Sequence, residues 1–349
     1  MSDRTRGKRR GSQGVTIRAV AAHAGVSAMT VSNVINGTGK MSDATRQTVL
    51  AAIDTLGFQP NQAARALAGA EALRIGFVHS RVNNGFLSAM LIGALNAGAL
   101  LGAQLLVRAV PTVDAEGLAE TVRSLCDNGV KGILLSPPFA EMLPGSALLA
   151  ELAVPVAAVA AGQPLPGLLT VRVDDRAAVR QMVDRLLALG HRRIGLIAGP
   201  SAHSSAHARR LGYCDSLAAA GLPVDEALIG AGRFSFDSAL PAAEHLLSLP
   251  DRPTAIFASN DEMAAAVIVS ATRRGLAVPQ DVAVAGFNDD SIASQTWPPI
   301  TTVRQPVEQL AAQALRTLAE HIRGRAVPDD QLLPFEIVPR RSTGELPPA

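Results

Sequence analysis

Amides, hydroxyls, one arginine and two aromatic rings stand where the apolar runs in the larger part of this chain end. Asn83, Asn84 and Phe86 follow LRIGFVHS, Ser201 follows RIGLIAGP, Asn260 and Asp261 follow AIFAS, Asn288, Asp289 and Asp290 follow VAVAGF, and Gln305 follows TTVR. Arg209 in RRLGY and Phe234 in RFSF join them. Amides, carboxylates and a guanidinium hydrogen-bond vicinal hydroxyls in pairs, and an aromatic face covers the apolar side of a sugar ring. The set therefore suits a neutral, carbohydrate-like ligand. Asn and Asp after strands also act as turn formers and helix caps, and Asp261, just ahead of a helix, is the clearest such case. A second set lies near the N-terminus. Ala28, Met29, Thr30, Ser32 and Asn33 fall on the outer face of a short helix, from which they could reach base edges in a major groove. The Asn33 amide suits adenine, and Met29 and the Thr30 methyl suit thymine. Thr16 and Ser27 stand at helix starts, where backbone N–H groups favour phosphate.

Catalytic chemistry finds no comparable footing. No Gly-x-Gly-x-x-Gly follows the first strand, and neither a phosphate-loop Gly-x-x-x-x-Gly-Lys-Ser/Thr nor a Gly-x-Ser-x-Gly elbow occurs. Cys126 and Cys214 make neither a disulfide framework nor a metal-ligand spacing, and His79, His203 and His207 lie near loops without metal spacing. The expectation is a non-enzyme without cofactor or metal, in a reducing cytoplasm. No apolar leader follows the basic start, and charges, Gly or Pro break each alanine-rich helix before membrane length, so no membrane is expected.

The elements that carry these residues are legible from periodicity. Ile17, Val20, Ala21 and Ala24 recur at helical spacing, as do Val31, Val34 and Ile35, and Gly25-Val26-Ser27 supplies a tight turn followed by a capping hydroxyl. Two amphipathic helices joined this way also occur in domains that never touch DNA. The residues downstream favour a helix-turn-helix unit: Ser42 and Asp43 open a third helix, which turns Val49, Ala52, Ile53 and Leu56 inward and stops at Gly57. After Pro60 comes the short Ala-rich segment NQAARALAGA. Residues 1–70 hold nine basic residues against three acidic ones, while the rest holds 23 basic and 27 acidic, within a net charge of +2. A basic headpiece on a mildly acidic body suits a module that meets phosphates. The stretch RTRGKRRG itself reads as a solvated tail.

From residue 73 short β-rich runs alternate with helices. LRIGFVHS, AQLLVRAV, GILLSP and PVAAVA are strands, with helices near 86–102, 115–128 and 140–151. After LTVRVD the pattern restarts, with strands RIGLIAG, ALIGAG, AIFASN and VAVAGF and helices near 176–190, 204–220, 237–249 and 261–275. Near-continuous apolar strands between helices indicate parallel sheets covered on both faces, here as two doubly wound subdomains, and a length of 349 residues with 48% hydrophobic content supports more than one core. Ligands of such sheets bind beyond the carboxyl ends of the strands, so the cleft between the subdomains is the expected pocket.

VTIRAVAAHAGVS, TVSNVING, the helix ending LGFQPN and the segment closing in LAG resemble the headpiece and hinge of the LacI/GalR family of bacterial transcription regulators. IGFVHSRVNNGF, LGHRRIGLIAGP, RRLGYCDSLAAAGLPVD, PTAIFASNDEMA, VAVAGFNDD and PPITTVRQP resemble successive blocks of the same family, over about residues 15–340. The resemblance implies an all-α helix-turn-helix headpiece (15–60) after a basic tail (1–14), a hinge helix (61–70), and a periplasmic-binding-protein-like core (73–340) before a short tail (341–349). Within the core, 73–171 with 304–333 would form one subdomain and 172–302 with 334–340 the other, TTVRQP and the helix at about 306–323 returning to the first and FEIVPR to the second. It implies a homodimer on a pseudo-palindromic double-stranded operator, with Asn61 in the hinge and Leu67 wedged into the minor groove, against the alternative of Leu67 packed in an ordered linker. Arg209, Asn260 and Gln305 match positions that hydrogen-bond the effector in the family, and Phe234 lies where an aromatic stacks. Three places depart: PVAAVA ends in Ala160-Ala161-Gly162 where sugar-binding relatives often carry an acidic residue, Asn288 stands where many have Asp, and Asn33 where many have Arg. Repression of carbohydrate catabolic genes, relieved by a sugar-like effector, is the expected function. A regulator tightened by a nucleobase or other small polar corepressor is the alternative. A solute-binding protein would share the core but not residues 1–70. Trp297 is expected either in the cleft or on a packing or dimer surface. STGELPPA offers no leucine heptad for a tetramer.

Overall fold

In the computed structural model, which describes residues 15–36, 41–56, 73–81 and 84–344, the N-terminal residues form three helices: α1 (Ile17–Ala24), α2 (Ala28–Asn36) and α3 (Asp43–Leu56). Val20, Ala21, Val31, Val34, Val49 and Ala52 are buried together, with Ile17, Ala24, Ile53 and Leu56 against them, as the spacing predicts; the Ile35 side chain lies outside the described residues. Gly25 closes α1 at φ 66°, a conformation that costs glycine nothing, and its N–H caps the Ala21 carbonyl. The Ser42 hydroxyl accepts the Thr45 N–H at the start of α3. This unit is distinct from the one that begins at Leu73.

The second unit contains two six-stranded sheets. β1 (Leu73–His79), β2 (Ala103–Ala109), β3 (Gly132–Leu135), β4 (Val156–Val159), β5 (Leu169–Arg172) and β11 (Asp330–Leu332) make the first, in the order β11-β5-β4-β3-β1-β2, all parallel. β6 (Ile194–Ala198), β7 (Ile229–Ala231), β8 (Ala255–Ala258), β9 (Ala283–Asn288), β10 (Thr301–Arg304) and β12 (Glu336–Val338) make the second, in the order β12-β10-β9-β8-β6-β7. Only β12 runs antiparallel, against β10. Each sheet reverses its strand order once, beside β1 in the first and beside β6 in the second. Those reversals leave a crevice at the carboxyl ends of the strands.

Helices α4 (Gly85–Leu101), α5 (Ala115–Asp127), α6 (Ala147–Glu151) and α12 (Val307–Ile322) belong to the first lobe, α12 packing along α4. In the second lobe, α8 (Ser204–Ala219) packs on α7 (Asp175–Ala188), and α9 (Phe236–Ser248) on α10 (Asp261–Arg273), with the short α11 (Ser291–Gln295) after β9. One continuous core holds Ile75, Phe77 and Leu134 of the first sheet with Ile194, Phe257 and Phe287 of the second.

Three expectations are corrected. The helix expected over 140–151 is a single 3-10 turn at Ala140–Met142 and the five-residue α6, because Pro144 and Gly145, the latter at φ 74°, interrupt it. TTVR does not return to the first lobe: it is β10, paired with β9, and the chain crosses only afterwards into α12. Residues 341–344 are not a free tail. Ser342 is buried and donates to the Val284 carbonyl at 2.5 Å while accepting the Thr301 N–H at 2.8 Å.

Candidate functional site

The outer face of α2 presents the first candidate surface. Ala28 and Met29 are exposed, Met29 by 70%, although an apolar side chain of that size is ordinarily covered. The Ser27 hydroxyl accepts the Thr30 N–H at 3.0 Å and lies 2.9 Å from the Thr30 hydroxyl, so Thr30 is half-buried against the cap. Ser32 and Asn33, expected to face outward, are half-buried on the flank of the helix. Thr16 caps α1 through the Ala19 N–H. Asn61, Leu67 and Asn83 lie outside the described residues.

The second candidate site is a cavity of about 170 Å³ between the lobes. All seven residues expected to hold a ligand line it: Asn84, Phe86, Arg209, Phe234, Asn260, Asn288 and Gln305. Asn84, Asn260, Asn288 and Gln305 end or follow a strand or cap the helix after one, while Phe86 and Arg209 lie within helices that start at the cavity, so the sheets rather than any local motif bring them together. Ser80, Ser136, Ala160, Ser205 and Arg233 also line it, without a sequence signal beyond their place after strands or at a helix start. His203, read as no more than a loop or pocket polar group, is another wall. Trp297 is not: it is 75% exposed, with the Arg341 guanidinium 5.2 Å from its ring.

Hydrogen bonds divide the lining residues into frame and free groups. Asn260 caps α10 by accepting the Met263 N–H at 3.0 Å, and its Nδ2 donates to the Phe234 carbonyl at 2.9 Å. Asn288 accepts from Gln305 Nε2 at 2.6 Å and donates to Asp290 Oδ2 at 3.0 Å. Both amides therefore shape the cleft rather than offer it open groups. Asn84 accepts the Leu87 N–H as the cap of α4, which leaves its Nδ2 without a partner among the described residues. Gln305 Oε1 and Arg209 Nη2 are free in the same sense.

Arg209 is held at both ends of its fork. Only 5% exposed, it donates from Nε to Asp175 Oδ1 at 2.7 Å and from Nη1 to the Ser259 carbonyl at 2.5 Å, with its guanidinium 3.7 Å from the Phe287 ring centre. Burial pushes the Asp175 carboxyl up, against the pull of that guanidinium. His203 meets the Phe234 ring edge-on at 5.1 Å, and burial with the Arg209 charge pushes it down to about 4, so it is neutral at pH 7.

The lobes also touch beside the cleft. Glu141 Oε1, in the first lobe, accepts both the N–H and the hydroxyl of Ser204 at the start of α8, at 3.2 and 2.7 Å. The Ser204 oxygen in turn accepts the Gly162 N–H at 2.8 Å. A Cβ on Gly162 would stand 2.5 Å from Ser205 N and closer to the Ser204 carbonyl, so only glycine permits this approach.

Asp261, expected as a turn former or cap, has a different role. Asn260 is the cap, and Asp261 is fully buried, accepting the Thr302 hydroxyl at 2.6 Å and the Asp290 N–H at 2.8 Å. Burial, with the nearby Asp290 and Asp289 charges, pushes its carboxyl up to about 8. The unfolded chain gives up this proton near pH 3.8 and the folded chain near 8. The group's contribution is thus complete below the lower value and is lost as pH rises through the upper one. Between pH 5 and 8 the protein is expected to lose stability by up to about 1.4 kcal/mol per pH unit from this group. Urea melts of Asp261→Asn should show a flatter pH dependence than wild type over that interval.

Comparison with known proteins places both units of the chain in known families. Residues 16–61 match the family model described as "Bacterial regulatory proteins, lacI family", and residues 183–343 the "Periplasmic binding protein-like domain". The chain is 35% identical over 334 residues to the "HTH-type transcriptional regulator DegA" of Bacillus subtilis (strain 168), spanning 95% of this chain and 98% of that protein. It is 35% identical over 323 residues to the "HTH-type transcriptional regulator CelR" of Thermobifida fusca, spanning 88% of this chain and 92% of that protein. Among solved structures, a "transcriptional regulator CelR-cellobiose complex" superposes with a TM-score of 0.71 at 32% identity, covering 94% of this chain and 99% of that one. A lac repressor dimer "bound to operator and the anti-inducer ONPF" superposes at 0.73 with 30% identity, covering 95% and 99%.

Proposed function

This chain is a DNA-binding transcriptional regulator of the LacI family, and from that premise we propose that it represses carbohydrate catabolic genes as a homodimer until a sugar-like effector enters the cleft between its lobes. The observation that carries the reading is the cleft itself: an aromatic wall of Phe86 and Phe234 faces Arg209, Asn84 and Gln305, whose free hydrogen-bonding groups suit adjacent hydroxyls. The cellobiose named with the CelR structure points to the same ligand class. A cavity of about 170 Å³ is smaller than the roughly 300–1,000 Å³ usual for drug-sized ligands, which favours a compact effector.

Dimerisation is supported by α4, which exposes Ile92, Leu95 and Leu100 at helical spacing, and by the exposed Trp297. Apolar side chains so grouped on a soluble surface suit a self-complementary interface. In the dimer, two α2 faces would read two half-sites, the hinge at 61–70 with Leu67 would meet the operator centre, and effector binding would act through its differential affinity for the open and closed lobes.

Selection of genomic fragments by the purified chain, with and without mono- and disaccharides and nucleobases, tests the reading. Release by one sugar supports it, tightening by a ligand indicates a corepressor, and no fragment bound above bulk DNA overturns it. In the same assay Met29→Ala should leave folding stability within about 0.5 kcal/mol, since the side chain is exposed. Its selected operator should differ from the wild-type one at a thymine-bearing position.

A further inference from the structure

We propose that the effector carries a negative charge, a carboxylate or phosphate on its sugar-like body, and that Arg233 is the residue that receives it alongside Arg209. This rests on the reading of the cleft as an effector site and concerns the charge of what enters it.

Among the described residues, none of the side chains lining the cavity is a carboxylate. The nearby acids have partners of their own: Asp175 holds Arg209, Asp261 holds Thr302, Asp289 lies between Arg304 and Arg340, Asp290 accepts from Asn288, and Glu141 holds Ser204 through one oxygen, its other oxygen being buried without a partner among the described residues. Each hydroxyl of a neutral polyol brings lone pairs that take donors and also a proton that needs an acceptor. Here the free side-chain groups of Arg209 and Asn84 are donors, and the free acceptor opposite them, Gln305 Oε1, is a neutral amide oxygen rather than a carboxylate.

Cations are arranged in the opposite way. Asp175 offsets the charge of Arg209. The Arg233 side chain, exposed at the cavity wall, makes no ion pair among the described residues; only its backbone N–H is engaged, with Ser238 Oγ at 2.8 Å. That leaves one uncompensated guanidinium on a residue lining the ligand space, which the deeply buried Arg209, with its unpaired Nη2, also lines. Three helices of thirteen residues or more, α4, α8 and α10, begin at the cavity, at Asn84, Ser205 and Asn260, so their dipoles add positive potential there. His203, in the same wall, is kept neutral by its burial first and by the Arg209 charge second. A guanidinium matches a carboxylate or phosphate in a planar fork, and a partly desolvated pair of this kind outweighs a neutral hydrogen bond.

The test uses the full chain and two readouts. In the first, the His203 ring is followed by NMR through a pH titration with and without inorganic phosphate. An anion in the cleft is expected to raise its titration point from about 4, and Arg233→Gln to cancel that rise. In the second, calorimetry compares matched ligands: a hexose, its uronic acid and its phosphate. The charged members are expected to bind about tenfold or more tightly than the neutral parent. Arg233→Gln should erase that gap, and Arg233→Lys should retain part of it. A preference for the uronic acid over the phosphate, or the reverse, assigns the anion. Neutral parents binding as well as their charged partners would overturn the proposal while leaving a sugar effector in place. A His203 response to phosphate that no hexose derivative displaces would uphold the anion site and overturn the sugar reading. No response to phosphate and no charged preference overturns the proposal outright.

Discussion

Replacing Arg209 with methionine is expected to cost the core about 3–5 kcal/mol of folding stability, and adding Asp175→Leu to restore most of it without restoring the effector response. The single change strands the Asp175 carboxyl, which is 2% exposed and has Arg209 Nε as its ion-pair partner at 2.7 Å. A buried charge without its counter-ion is among the costliest defects a core can carry. Removing both charges leaves apolar groups beside Phe287, whose ring already lies 3.7 Å from the guanidinium. Urea melts of wild type, the single variant and the double variant measure the first effect, and release of operator DNA by effector measures the second. A double variant that regains stability and still responds would show that Arg209 is structural and that the effector is held by other groups.

Gly162→Ala is expected to weaken effector binding by about 5- to 150-fold while leaving the fold intact, from a steric cost of about 1–3 kcal/mol. The added methyl would meet the Ser204 carbonyl and the Ser205 amide across the lobe boundary. Gly162 has no positive φ, so alanine is not strained by its own backbone, and the overlap can be relieved by parting the lobes. The hydrogen bond from Gly162 N–H to Ser204 and the two bonds from Ser204 to Glu141 would then be stretched or lost. Calorimetric titration with the effector reads the affinity, and a thermal melt without it reads the fold. Loss of melting temperature on the scale of a core defect would mean that the lobes are not free to separate.

Much of this site is legible in the sequence because a doubly wound sheet has one rule for where ligands go. Asn84, Asn260, Asn288 and Gln305 stand out there as polar residues after apolar runs, and they meet because parallel strands of both sheets deliver their carboxyl ends to one crevice. What each does in that crevice is not legible. The Asn260 and Asn288 amides are consumed by Met263, Phe234, Gln305 and Asp290, partners up to 26 residues distant, and no local pattern reveals such pairing. Asp261 shows the same limit. Its position before a helix reads as a cap, but tertiary packing places the capping one residue upstream and buries the carboxylate beneath β10. Arg233 carries no sequence signal because an arginine beside a strand end most often belongs to a solvated surface, and only the three-dimensional cleft separates that role from a wall. In the headpiece, the 3.6-residue period identifies the buried set, whereas Ser32 and Asn33 lie at the edge of the apolar stripe, where periodicity does not decide exposure.

The order in which the chain visits its two lobes constrains how it can be made. α4 finds its packing partner α12 only after the second lobe up to β10 has been synthesised, and β12 and Ser342, which complete that second lobe, come later still. At about 5–20 residues per second, the roughly 200 residues between them represent about 10–40 s during which the apolar flank of α4 has no cover. Neither lobe is finished on the ribosome before the other has begun. A nascent chain halted before α12 is therefore expected to display two incomplete sheets and to engage chaperones, and both lobes to become protease-resistant together once residues beyond 340 emerge.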